Sequence, residues 1–227
     1  VEGITEFLPV SSTGHMIITE KLLGVESNDF TKLFTVGIQL GAILAVLVLY
    51  WKKFIAPLQT RKWNFYGKLL VAVIPALLLG FIFSDKIDEL LDSALVVAIT
   101  MIAGGFLLLF IDRFFRKETV QAEEQISFPK AIIIGLWQCV AMIPGVSRSA
   151  ASIIGGMQQQ LTRKLAAEFS FFLAVPTMAA ATGYKLLKGY NTISPDEVKL
   201  FIIGNAVAFV VAMLAIPPNT ALMLTDR

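Results

Sequence analysis

Five apolar segments, each close to the thickness of a bilayer's hydrocarbon core, dominate this chain of 227 residues. They cover residues 34–51, 69–83, 94–111, 169–187 and 200–216. A helix of about 20 apolar residues spans a bilayer and pairs its own backbone N–H and C=O groups as it does so. The fold class expected is therefore an all-α integral membrane protein, a polytopic helical bundle in one domain over residues 1–227. The charged fraction of 16% supports this, since soluble chains average about 25%. So does the mean hydropathy of +0.73. Net charge is +2 and no basic stripe with interleaved aromatics is present, so nucleic acid is not an expected partner. Cys139, the single cysteine, reads as a buried inert thiol. Segment 69–83 is short and contains Pro75, which predicts a kink or tilt. The Gly104-Gly105 pair predicts a close helix contact.

Two further apolar stretches, residues 1–24 and 131–162, are broken by Pro, Gly, Ser and charge. Each reads as half-helix, polar turn, half-helix. Irregular backbone at membrane depth is tolerated only against protein or a wet cavity, so both are expected to be re-entrant hairpins. Loop 52–68 carries Lys52, Lys53, Arg61, Lys62 and Lys68 and no acid, which places it in the cytoplasm. Loop 84–93 holds Asp85, Asp88, Glu89 and Asp92 against Lys86, which places it outside. Loop 112–130, with Arg113, Arg116, Lys117 and Lys130, falls inside by alternation. Loop 185–199 falls outside despite Lys185, Lys188 and Lys199. A shift of 136 residues aligns the two hairpins without a gap, pairing Glu2 with Gln138, Ser11 with Ser147 and Ser12 with Arg148. Three spans lie between the copies, so the repeat would be inverted, with units near 1–111 and 131–216.

The polar residues gather in these hairpins. Residues 2–15 read EGITEFLPVSSTGH: two carboxylates, three hydroxyls and His15, the sole histidine. Glu2 and Glu6 share a helix face about 6 Å apart. Two buried carboxylates so placed require a proton, a divalent metal or a cation such as Arg148. Pro9 ends the incoming half-helix, and Ser11, Ser12 and Thr13 cap the next. Such a helix start binds phosphate, and a hydroxyl there can act as nucleophile given a base in reach. His15, three residues after Ser12, is one such base. Pro144-Gly145-Val146-Ser147-Arg148-Ser149 is the partner turn. The guanidinium fork of Arg148 suits either two phosphate oxygens or a structural ion pair with Glu2 or Glu6. Gln39, Gln138 and Glu168 are isolated polar residues in apolar settings. The set describes a phosphate site in a membrane, with the phosphate on a lipid.

At these residues the chain resembles the undecaprenyl-diphosphate phosphatase family of bacteria, also called the bacitracin-resistance proteins. The likeness rests on EGITEFLPVSSTGH, PGVSRSAAS, the QLGAILAV that begins at Gln39 and the EFSFFLAVP that begins at Glu168, and extends to about Ile216. It implies a bacterial inner-membrane enzyme of interlocking inverted repeats. Such an enzyme removes the terminal phosphate of undecaprenyl diphosphate, at a site toward the periplasmic face, with a divalent cation (Mg2+ or Ca2+). It further implies Glu2 and Glu6 as the acidic pair and metal ligands, Ser12 as nucleophile beside Ser11 and Thr13, and His15 as acid/base. Arg148, with Ser147 and Ser149, would grip the diphosphate. Ser152 stands where the family has Thr. The family pattern also implies sequence before Val1 and a spanning helix beyond the chain's last residues. Expected partners are a polyprenyl diphosphate lipid, the bilayer and, for self-association, a homodimer. The alternative reading is a transporter or flippase of the polyprenyl phosphate, since inverted repeats are a transporter architecture.

Overall fold

The computed structural model describes residues 1–59, 63–115, 117–189 and 194–224. Arg61, Lys62 and Arg116, used in the charge argument, lie outside the described residues. Among the described residues the protein is helical, with one isolated parallel bridge between Val120 and Leu161 and no sheet.

Twelve α-helices follow one another: α1 Glu2–Thr5, α2 Ser12–Leu22, α3 Asp29–Gly37, α4 Gln39–Leu49, α5 Trp51–Gln59, α6 Trp63–Ile82, α7 Ser84–Leu91, α8 Ala94–Phe114, α9 Phe128–Val140, α10 Arg148–Gln158, α11 Arg163–Gly189 and α12 Pro195–Leu224. Five helical stretches are long and apolar enough to cross a membrane: Asp29–Leu49, Trp63–Ile82, Ala94–Ile111, Arg163–Gly189 and Pro195–Ile216. They correspond one for one to the five segments read from sequence. The first is α3 and α4 joined at Ile38. There the N–H of Gly41 is accepted by the Ile38 carbonyl and by Asn205 Oδ1 of α12, at 3.1 and 2.8 Å. The interruption is thus satisfied within the protein, as an apolar surrounding requires.

Cross-chain ion pairs show which helix ends lie together. Lys32 at the start of α3 pairs with Asp92 at 2.8 Å. Lys185 and Lys188 near the end of α11 pair with Asp88 and Asp85 of α7. At the opposite end, Lys53 of α5 pairs with Glu168 near the start of α11 at 2.9 Å. The start of α3, α7 and the end of α11 therefore share one end of the bundle. The end of α4, α5 and the start of α11 share the other. The three lysines that sat awkwardly in loop 185–199 are neutralised locally, since Lys199 also pairs with Asp196.

α11 is the central helix. Phe169, Phe172 and Leu173 enter one apolar cluster with Phe65, Leu69 and Ile134. Phe171, Ala174 and Met178 enter a second with Phe7, Ile43, Val46 and Ile216. Of its most apolar stretch 61% is buried, against 11% for Ala94–Ile111, which places α8 at the periphery.

Three expectations are corrected. Gly104 and Gly105 make no close contact: a Cβ at either would meet nothing within 4 Å. Gly105 is exposed and Gly104 partly so. Lys68 is not a loop residue. It is buried in α6, and its Nζ donates to the carbonyls of Glu123 and Glu124 at 3.0 and 3.2 Å. The third correction is the start of that helix, at Trp63 rather than 69, because Lys68 finds these acceptors and need not reach water.

Close helix contact occurs elsewhere. A Cβ on Gly135 would collide with the backbone of Ala72, and one on Gly41 with the backbone of Asn205. Gly135→Ala is therefore expected to destabilise the α6–α9 packing by about 1–3 kcal/mol, as overpacking does. Gly104→Ala, in open space, should leave the melting temperature in detergent unchanged or slightly raised. Equal melting temperatures for the two variants would contradict this packing. The hydrogen bond and charge of Lys188 hold the Asp85 carboxyl below its ordinary range, and Lys32 does the same for Asp92. A carboxylate depressed in the fold contributes stability above its unfolded titration range and loses it as pH falls. Hydrogen exchange of α7 amides should thus accelerate below pH about 4, the unfolded carboxylate range, beyond the intrinsic pH dependence of exchange.

Candidate active site

Two short helix–turn–helix units carry the polar residues. In the first, α1 ends at Thr5 with Glu6 as its C-cap, and the chain turns through Phe7 to Val10. Ser11, at φ 63°, adopts a left-handed conformation uncommon for a side-chain-bearing residue and caps α2, accepting from Gly14 N–H at 3.2 Å. This places Ser12 at the first position of α2. In the second unit, α9 ends at Val140 and the turn passes through Gly145 at φ 90°. Ser147 caps α10, accepting from Ala150 N–H at 3.2 Å. Arg148 occupies the first position of α10. Both turns touch α8: Thr100 Oγ1 donates to the Pro144 carbonyl, and Gly14 lies against Met101.

The turns meet through Glu6. Its Oε1 accepts from Arg148 Nη2 at 2.8 Å, with both side chains largely buried. Its Oε2 accepts from Ser12 Oγ in a short hydrogen bond. A hydroxyl is thus joined to a carboxylate, and the carboxylate to a guanidinium. Arg148 is held further by the Ser170 carbonyl at 3.2 Å and by Met178 Sδ at 3.3 Å, while its Nε is buried with no partner. The expected structural pairing of arginine with a carboxylate is present, and the acid is Glu6 rather than Glu2.

A cavity of about 360 Å³ opens on this group. Glu6, Ser11, Ser12 and Thr13 line it from one turn, and Ser147 and Arg148 from the other. Ala76, Leu77 and Phe81 give it an apolar wall. Small polar groups in an apolar cleft are what a ligand with one charged end and one greasy end requires. Three of the expected site residues do not line it. Glu2 is buried behind it, beside Glu6 and Ser12, with both carboxyl oxygens unpartnered. Ser149 Oγ is also buried and unpartnered. His15 Nδ1 donates to the Ser11 carbonyl at 2.8 Å, and its Nε2 takes no part in that bond.

Sequence reasoning missed several lining groups. Gln138, the repeat partner of Glu2 in sequence and isolated there among apolar residues, is buried, lines the cavity and donates to Thr177 Oγ1 at 3.2 Å. Asp88, Tyr184 and Lys185 complete the outer rim. The basic excess in loop 185–199 was the available signal for Lys185.

A divalent cation fits part of this arrangement. Two adjacent carboxylates, one with both oxygens unpartnered, are hard donors of the kind that hold Mg2+ or Ca2+. Among the described residues no group of three or more His, Cys, Asp or Glu gathers at one point, so the remaining ligands would come from substrate oxygens and water.

Removing one member of a buried ion pair strands the other, at a cost of about 3–5 kcal/mol. Arg148→Met should therefore lower the unfolding midpoint strongly, and Glu6→Gln in the same chain should restore part of the loss. Additive effects of the two substitutions would mean that the pair is not coupled.

Comparison with known proteins gives a consistent result. The family model of the Bacitracin resistance protein BacA matches residues 1–223. A protein named undecaprenyl-diphosphatase from Flavobacterium psychrophilum is 57% identical over 219 residues, covering 95% of this chain and 81% of its own length. One from Bdellovibrio bacteriovorus is 53% identical over 218 residues, with the same coverage. One from Aquifex aeolicus is 44% identical, covering 95% and 83%. With nearly its whole length matched and its two polar turns joined in one site, this chain belongs to the bacitracin resistance protein BacA family.

Proposed function

We propose that this chain hydrolyses undecaprenyl diphosphate to undecaprenyl phosphate and inorganic phosphate. The names of its relatives support the activity. The observation that carries the mechanism is the hydrogen bond from Ser12 Oγ to Glu6, with Glu6 also paired to Arg148.

In this reading the diphosphate enters the cavity head first, with its chain along the Leu77 and Phe81 wall. Ser12 Oγ attacks the terminal phosphorus while Glu6 takes the hydroxyl proton. The bond from that phosphorus to the bridging oxygen breaks, and the prenyl phosphate leaves with the bonding pair. Water then attacks the phosphoserine and frees inorganic phosphate, with the proton returned to Ser12 Oγ. Protonation of Glu6 removes the negative charge that holds Arg148, so the guanidinium becomes available as charge builds on the phosphoryl oxygens. The starts of α2 and α10, with the cavity-lining Ser11, Thr13 and Ser147, supply further donors. His15 Nε2, the ring nitrogen outside the bond to Ser11, serves as proton relay on the α2 side. A divalent cation would be held from the Glu2 side, whose carboxyl oxygens lack partners, and would neutralise diphosphate charge, while Glu6 keeps its oxygens for Ser12 and Arg148.

The two units are read as re-entrant hairpins of an inverted repeat, one in each half (about 1–111 and 131–216) of a single membrane domain. Their support is the matched capping at Ser11 and Ser147, 136 residues apart, with equal hydrogen-bond lengths of 3.2 Å. The end of the bundle bearing α7 is placed outside and the end bearing Lys52 and Lys53 in the cytoplasm, following the positive-inside tendency. The cavity, lined at its rim by α7, then opens toward the periplasmic face of the inner membrane. A homodimer would use the open face of α8.

Phosphate release from a prenyl diphosphate by the purified chain tests the reading. Ser12→Ala, Glu6→Gln and Arg148→Ala should each lower kcat by about 10²-fold or more, and His15→Gln by less. Lipid movement across vesicles that survives Ser12→Ala, without phosphate release, would replace hydrolysis by transport.

A further inference from the structure

The cavity contains a second cation. α11 lines it with Thr177, Met178, Ala181, Tyr184 and Lys185, a spacing that keeps one helix face toward the interior. Met178 Sδ touches Arg148 at the inner end. Lys185 lies seven residues further along the same face, two turns and about 10 Å outward. It therefore stands at the rim while Arg148 stands at the floor.

Lys185 is paired with Asp88 of α7, both carboxylate oxygens facing its Nζ. The two side chains are 22% and 26% exposed, so water and solutes reach them. Asp88 lines the cavity with Ser84, Ile87 and Leu91, one face of α7. None of α7's residues is fully buried, so the helix rests over the rim by charge more than by packing. The ion pair thus stands at the opening of the cavity, beside Ser84 and Tyr184. A phosphate group offers more charge and more acceptor oxygens than one carboxylate, and at a half-solvated site it can compete for the ammonium.

Resting on the phosphatase reading above, we propose that Lys185 is a second anion-binding residue of this cavity. It takes a phosphate group at the rim, and Asp88 is the built-in competitor that prevents lasting retention. The phosphate is either that of the lipid head group moving inward or inorganic phosphate moving outward.

The test compares the full chain in detergent with Lys185→Gln, Asp88→Asn and the double variant. Farnesyl diphosphate serves as substrate and inorganic phosphate as product inhibitor. Lys185→Gln should raise KM, or the inhibition constant of phosphate, about threefold, the scale of a partly exposed charge contact. Asp88→Asn should lower the same constant by a similar factor, and the double variant should match Lys185→Gln. The effect should fall on these constants rather than on kcat. Movement of KM identifies the head group as the ligand, and movement of the inhibition constant identifies free phosphate. Both single variants break the same ion pair, so a merely structural latch would shift both constants in one direction. That result, or no shift in any variant, overturns the proposal. Pyrophosphate binding, followed by phosphorus NMR line broadening, separates this from the activity itself. If wild type releases no phosphate yet affinities rank Asp88→Asn, wild type, Lys185→Gln, the phosphatase reading fails and the Lys185 site stands. If wild type releases phosphate and the affinities are equal, the Lys185 site alone fails.

Discussion

The ion pair between Glu6 and Arg148 joins parts of the chain 142 residues apart. Each partner would be costly alone at this depth, since a buried charge without a counter-charge is among the most unfavourable groups a protein can hold. Pairing removes that penalty and thereby ties the two turns together. The polar groups at the inner end of the cavity are placed around this bond. Ser12 is drawn toward Glu6 on one side, and the Ser170 carbonyl and Met178 fix the guanidinium on the other. The central helix α11 supplies both of those supports, which links the site to the two apolar clusters it also fills.

The turns themselves depend on a second constraint, the need to satisfy backbone groups away from water. Each turn ends one helix and starts another, and a helix start leaves unpaired N–H groups. Ser11 and Ser147 satisfy part of this locally, one donor each. The remaining first-turn N–H groups of α2 and α10 are donors of the kind that bind anions. Ser11 reaches its capping position only through a positive φ, so the geometry that presents Ser12 to Glu6 is held against a local backbone preference.

Much of the fold was legible because bilayer thickness is a strong filter on sequence. All five spans were visible as apolar runs, and residues 94–111 agree with the structure at both ends. The misreadings have a common cause: a hydropathy pattern does not say what a residue faces. Lys68 looked like a loop boundary, but two backbone carbonyls accept from it inside the bundle. Gly104 and Gly105 looked like a packing seam, but lie in open space, while Gly135 and Gly41 hold the close approaches. At the site, the residue types and the pairing of the two turns were readable. Which acid meets Arg148 was not: Glu2 and Glu6 sit one helical turn apart, the Glu6 N–H bonding the Glu2 carbonyl, so their spacing alone gives both the same face.

The same accounting of charge explains how a cavity for an anion persists when no anion is in it. Its floor and its rim each carry one cation, Arg148 and Lys185, and each cation is matched by one acid, Glu6 and Asp88. The two pairs balance charge at both ends of the cavity, so neither cation stands alone in apolar surroundings. The two pairs differ in burial, and that difference orders their behaviour. At the floor, 14% and 8% exposure keeps the dielectric low, so Arg148 can change partner only when Glu6 loses its charge. In the proposed mechanism, proton transfer from Ser12 removes that charge. At the rim, water weakens the bond between Lys185 and Asp88, and an arriving phosphate can exchange with the carboxylate directly. An anion moving inward thus meets a cation that yields easily and then one that yields only as chemistry begins. A single fully buried cation could not provide that order, because its partner would hold equally against substrate and product.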